Sequence, residues 1–157
     1  MQNRVPAVRP MTIRLETHVA VAVERVWAVL GTVEGMKRWF PNLDEYEPRV
    51  GGRIAFHYPL AGEPLYRMYG EVLTFDPPRE LAFSWVQEEI GGSVWPVPTV
   101  VTIRLEPLAR GTHVLLTHSR FEQLPKDIAA QAYADYLGGW TGDNVLGRLK
   151  AMLEAAA

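Results

Sequence analysis

The sequence predicts an α+β fold: a curved antiparallel β-sheet wrapped around a long C-terminal helix, with two short helices after the first strand. Three observations carry this. Apolar residues alternate with period two near the start, and again in a series of segments beginning near Glu45, as half-buried strands require. Helical spacing interrupts after the first strand and returns over residues 128–157. Clusters of Gly and Pro join successive strands by short connections, which suits an antiparallel meander. A sheet with one apolar face needs a cover, and the C-terminal helix is the element left to supply it.

The elements follow in order. Thr12 to His18 alternates Ile13, Leu15 and Thr17 with Arg14, Glu16 and His18, a strand. Val21 to Leu30 places Val23, Val26, Trp27 and Leu30 on one helical face, and Gly31 can end it. Val33 to Phe40 reads as a second short helix stopped by Pro41, with Glu34, Lys37 and Arg38 on its solvated side. About six more strands are expected. Five are delimited by their alternation: Arg53 to Tyr58 (Ile54, Phe56 and Tyr58 on one face), Tyr66 to Phe75, Arg79 to Gln87, Thr99 to Leu105 and Thr112 to His118. Gly51-Gly52, Pro59 to Pro64, Asp76-Pro77-Pro78, Gly91-Gly92 and Arg110-Gly111 punctuate them. Near the C-terminus, Trp140 shares a face with Tyr133, Tyr136 and Leu137, whereas Leu146, Leu149 and Leu153 centre on nearly the opposite side. Gly138, Gly139 and Gly142 sit where the phase changes and predict a kink or a break.

Composition excludes several functions. The 157 residues carry 16 Lys plus Arg against 18 Asp plus Glu, net −2, which lacks the basic field that nucleic acid needs. Zero Cys excludes disulfides, thiolate chemistry and Cys-ligated zinc. No apolar run reaches the roughly 18 residues of a membrane span, and the N-terminus lacks the apolar centre of a signal peptide. A cytoplasmic location is expected. Residues 1–11 read as a flexible arm and 12–157 as one domain, with Met1 or Met11 as alternative starts.

Seven pieces occur in a recognisable order: Val26-Trp27, Arg38-Trp39-Phe40, Arg49 to Phe56 with its Gly51-Gly52 turn, Gly70 to Leu73, Asp76 to Leu81 followed by Phe83-Ser84-Trp85, Gly111-Thr112 through Leu116 to Ser119, and Gly139-Trp140. Together they resemble the family named after the C-terminal domain of the activator of Hsp90 ATPase, within the START-like, Bet v 1-like (SRPBCC) superfamily. The resemblance runs from about Thr12 to Leu153 and implies a helix-grip fold with a cavity between sheet and C-terminal helix. Three functions are compatible with it. The first is non-covalent binding of a small hydrophobic or aromatic molecule. The second is a polyketide cyclase or dehydratase-like enzyme using the same cavity. The third is a protein-interaction module regulating a chaperone ATPase, for which the chain offers no companion domain. Fold alone does not choose among them.

The residues narrow the choice. His18, His57, His113 and His118 form no HxH or HExxH spacing, so no metal site or cofactor is expected. His118 shares parity with Val114 and Leu116 and points inward. It reads most simply as a buried histidine satisfied by a neighbour; the alternative is a ligand contact or a proton carrier. His57 is expected to face solvent. Trp27 reads as core, while Trp39 and Phe40 divide between core plug and cavity wall. Trp85 and Trp140 read as wall or packing, and Trp95, near a hairpin end, as a cap over an opening. Glu88 and Glu89 read as solvated rim, Asp143 as the cap of the helix starting near Asn144, and Arg67 with Glu71 as an exposed pair or, after a bulge, part of the inward face. No catalytic residues are assigned. Ile54, Phe56, Tyr58, Trp85, His118, Tyr133 and Trp140 are the candidate ligand-binding residues, and a hydrophobic or aromatic small molecule is the expected partner. The sequence leaves a homodimer open.

Overall fold

In the computed structural model, residues 10–155 are described; residues 1–9 of the expected arm lie outside the described residues. In chain order the elements are β1 (Ile13–Val19), α1 (Val23–Leu30), α2 (Val33–Trp39), β2 (Leu43–Tyr46), β3 (Arg53–Tyr58), β4 (Tyr66–Asp76), β5 (Glu80–Glu89), β6 (Thr99–Leu108), β7 (Gly111–Ser119), α3 (Lys126–Gly142) and α4 (Val145–Ala155), with a short 3₁₀ turn at Phe121–Gln123. The strands form one curved antiparallel sheet in the order β1-β7-β6-β5-β4-β3-β2. Each hairpin from β2 to β7 pairs sequence neighbours, while β1 adds to β7 with Ile13 opposite His118. Because β1 and β2 lie at opposite edges, α1 and α2 carry the chain from one edge of the sheet to the other.

Alternation along the strands makes the inner face mostly apolar. On β7, Thr112, Val114, Leu116 and His118 are buried and their neighbours are not. On β6, Val101, Ile103 and Leu105 are buried while Thr102 and Arg104 between them are not. These side chains meet Val26 and Leu30 of α1, Met36 of α2, and Leu149 of α4 in one core. Helix α2 starts at a side-chain cap, Thr32 Oγ1 accepting the Gly35 N–H at 3.0 Å, which satisfies one of the orphan donors of its first turn. Midway along β4, Gly70 lies against Ser84, and a Cβ there would collide with the Ser84 carbonyl. The close approach of β4 and β5 at that point demands glycine.

The C-terminal helix breaks, as its phase change predicts. Helix α3 ends at Gly142 and α4 begins at Val145. Asn144 adopts φ 49°, a left-handed conformation that Asn tolerates better than most residues. Its carbonyl receives the Arg148 N–H at 2.9 Å, so Asn144 opens α4, and Asp143 instead ends α3. Helix α3 buries only Ala129, Ala132 and Trp140, whereas α4 buries Val145, Leu146, Leu149 and Leu153. Lys150 Nζ donates to the His18 carbonyl at 2.7 Å, fixing α4 beside the end of β1.

The sixth expected strand is β2, which the alternation did not delimit. Its four residues bury Leu43 and Tyr46 around exposed Asp44 and Glu45, and a register shift falls between Leu43 and Glu45. A bulged strand this short has no period to read. Trp95 also departs from expectation. The chain after β5 folds back through a Glu88–Val94 bridge, and Trp95 packs edge-on against Phe121 and Tyr136. It belongs to the core.

Candidate functional site

Between the inner face of β3–β5 and the α3–α4 junction lies a cavity of about 420 Å³. Phe40, Phe56, Met68, Trp85, Trp140 and Val145 give it apolar walls. Asn42, Tyr58, Tyr66, Gln87 and Tyr136 add polar tips, and Asp135, Asp143 and Arg148 add charge. The walls interlock through rings: Phe56 meets Trp85 at 5.2 Å and Phe40 at 5.6 Å, and Trp85 meets Trp140 at 6.1 Å. Offset and edge-on aromatic contacts at these separations hold ring orientation as well as burying area.

Of the seven candidate residues, Phe56, Tyr58, Trp85 and Trp140 stand in the cavity wall. Ile54, His118 and Tyr133 do not. Ile54 has the predicted parity but lies opposite Tyr46, whose hydroxyl donates to the Leu30 carbonyl at 2.6 Å, so α1 covers that end of the strand. Tyr133 has the angular phase of Trp140 but sits two turns earlier and packs edge-on against Phe121 at 5.7 Å. His118 faces inward as expected, yet Trp85, Phe121, Tyr136 and Trp140 close over it and it is 0% exposed. The two undecided aromatics separate. Trp39 is core, its Nε1–H donating to the Val145 carbonyl at 3.0 Å, and Phe40 is wall.

The polar groups of the wall and behind it form two directed chains that meet at Trp85. Trp140 Nε1–H donates to His118 Nδ1 at 3.1 Å. Thr99 Oγ1 lies 2.7 Å from His118 Nε2 and donates its own hydrogen to the Trp85 carbonyl at 3.0 Å. An indole nitrogen only donates, so Nδ1 accepts and Nε2 carries the ring proton. Trp85 Nε1–H donates to the Tyr136 hydroxyl at 2.8 Å, which donates to Gln87 Oε1 at 2.6 Å. Burial pushes the His118 pKa down to about 3; burial, with the nearby Asp135 carboxylate adding to it, raises that of Tyr136 above its ordinary value. His118 is therefore a neutral structural link at physiological pH, with both nitrogens engaged.

Arg148 is fixed at one end of the cavity. Its Nη1 donates to the Trp39 carbonyl at 2.8 Å and its Nε to the Asp143 carbonyl at 3.2 Å, and the guanidinium lies 5.9 Å from the Phe40 ring centre. On the outer face of the sheet His57 Nδ1 contacts Asp44 Oδ1 at 2.8 Å. Arg67 and Glu71 are exposed there too. Among the described residues no three His, Cys, Asp or Glu side chains are placed to hold a metal ion, and no helix is long and apolar enough to cross a membrane.

Several wall residues escaped the sequence reading. Gln87 had a legible signal: it continues the inward parity of Leu81, Phe83 and Trp85 with a polar side chain. Tyr66 pairs directly with Tyr58 across the hairpin. Asn42, Asp135 and Arg148 carry no local pattern and meet only through tertiary packing.

Comparison with known proteins agrees with this architecture. Protein MLL2253 from Mesorhizobium loti is 24% identical, with 93% of this chain and 98% of that one covered at a TM-score of 0.72. A solution structure from Arthrobacter aurescens is 20% identical over 92% of this chain and 87% of that one, at 0.74. DynU16, a protein of the dynemicin biosynthetic locus, is 22% identical over 93% of this chain and 48% of its own, at 0.65. Likeness at these identities is likeness of fold. No curated protein matches the sequence significantly. The family model described as Activator of Hsp90 ATPase homolog 1-like protein matches residues 20–154, and with that span, the helix-grip sheet and the motif order in agreement, the chain belongs to that family.

Proposed function

We propose that this protein binds a small hydrophobic or aromatic molecule non-covalently in the cavity between the sheet and the α3–α4 junction. The observation that carries the reading is the cavity itself: about 420 Å³, walled by four aromatic side chains that pack on one another without filling it. That volume lies within the range of small-molecule sites, roughly 300–1,000 Å³. An apolar margin supports it. Tyr58, Leu60, Leu65 and Ile90 are all about half exposed or more, and backbone bonds join Tyr58 to Leu65 and Leu65 to Ile90. This margin adjoins Tyr58 and Tyr66 of the wall and offers a hydrophobic molecule a path out of water.

The cyclase-like reading needs a group that moves a proton near neutral pH. His118, the residue suited to it, has both nitrogens engaged and no exposure, which favours binding over turnover. For a chaperone-regulating module, the exposed margin is the surface that would dock.

Native mass spectrometry of the purified protein, followed by thermal shift against fatty acids, flavonoids and aromatic polyketides, tests the reading. A ligand at a hundredfold excess over Kd stabilises by about 2.7 kcal/mol. The expected result is a co-purified molecule or a clear rise in Tm with flat aromatic compounds. A clean apo mass with no shift from any compound would overturn the proposal.

A further inference from the structure

Resting on that reading, we propose that Gln87 is a fixed hydrogen-bond donor of the cavity, and that the ligand presents an acceptor oxygen, such as a ketone, quinone or phenolate, on its aromatic body. The direction of this half-buried chain supports the assignment. Trp85 Nε1–H can only donate, so the Tyr136 hydroxyl accepts it and keeps its own hydrogen to give. The acceptor of that hydrogen is Gln87 Oε1 at 2.6 Å. Turning the amide over would set its NH₂ against an oxygen already taken by the indole and leave the Tyr136 hydrogen without an acceptor. A buried polar group left unpaired costs more than a made bond gains, so the amide stays as found. Its Nε2 then has no protein partner among the described residues, and Gln87 lines the cavity beside Trp85.

Gln87 is thereby oriented from behind. Tyr136, held by Trp85, is a positioning residue: it fixes which end of the amide meets the ligand. The wall carboxylates do not compete for this role. Asp135 and Asp143 are exposed, and Asp135 Oδ1 already accepts from Gln131 Nε2 at 2.8 Å. Gln87 is only partly exposed and stands on the sheet. A site that offers a preformed donor discriminates against a ligand lacking the matching acceptor, because the donor is left dry and unpaired.

The test compares two probes of one shape, a naphthoquinone and the dimethylnaphthalene in which methyl groups replace the carbonyl oxygens, by isothermal titration calorimetry. In the wild-type protein the quinone shifts the Gln87 side-chain amide proton resonances downfield, and the hydrocarbon does not. In Gln87→Glu, one carboxylate oxygen takes the Tyr136 hydrogen and the other presents an acceptor and a charge. The quinone-to-hydrocarbon affinity ratio is expected to fall about tenfold, the worth of one good hydrogen bond. Tyr136→Phe releases the amide and lowers the same ratio, quinone affinity falling further than hydrocarbon affinity, which a merely structural role for Tyr136 would not produce. An unmoved Gln87 amide in the wild type, or a ratio that survives Gln87→Glu, overturns the inference and leaves cavity binding intact. Failure of the wild type to bind either probe or any library compound overturns both.

Discussion

Acidification should destabilise this protein through one buried side chain. His118 is neutral in the folded state, its pKa pushed by burial from the ordinary 6.5 down to about 3. The unfolded chain exposes a histidine that protonates below about 6.5. Between these values the unfolded state holds one more proton than the folded state, so stability falls as pH falls. The slope approaches 1.4 kcal/mol per pH unit at most, and from pH 7.5 to pH 5 the loss is about 2 kcal/mol. That is a sizeable part of the roughly 5–15 kcal/mol a domain possesses. Glu47 and Glu154, whose pKa values are lowered by hydrogen bonds donated by the Arg53 backbone N–H and by Lys150, lose their contributions only as pH falls below the ordinary carboxylate value, under the range of the assay. The assay is urea unfolding followed by tryptophan fluorescence at pH 7.5, 6.5 and 5.5, on the wild type and His118→Asn. The Asn oxygen takes the place of Nδ1 and still accepts from Trp140, but does not titrate. The wild type should weaken with acid and the variant should hold nearly constant. Equal slopes for the two proteins, or ring resonances of His118 titrating near pH 6.5, would refute the sequestered, neutral histidine and with it the direction of the chain.

Further outcomes follow from the same packing. Trp140→Ala removes a wall side chain that is 7% exposed. A fully enclosed tryptophan costs about 3–5 kcal/mol; here one side already faces open volume, so denaturation should show a loss at or below the lower end, with ligand-induced thermal shift abolished. Gly70→Ala drives a Cβ into the Ser84 carbonyl and should cost about 3 kcal/mol or more by urea titration. Gly138→Ala and Gly142→Ala meet nothing within 4 Å and should each stabilise by about 0.5–1 kcal/mol in the same titration.

The sequence by itself determined the architecture, because strand and helix periods are local and every hairpin joins neighbours. Alternation delimited five of the six strands after α2, the glycines and the phase slip located the break after Gly142, and parity turned His118 inward. Parity states which face of a strand a side chain takes; it does not state what covers that face. Ile54, Phe56 and Tyr58 share one face of β3, yet α1 closes over the first while the cavity opens at the other two. Tyr133 and Trp140 share one face of α3, yet two turns of rise, about 10 Å, separate core from wall. Only the tertiary structure decided that His118 is sealed beneath four rings, that Arg148 is pinned beside Phe40 more than a hundred residues away, and that Gln87 is turned by Tyr136 toward the cavity. Each of these depends on the layer that packs above a residue, and that layer comes from a distant part of the chain that no local period encodes.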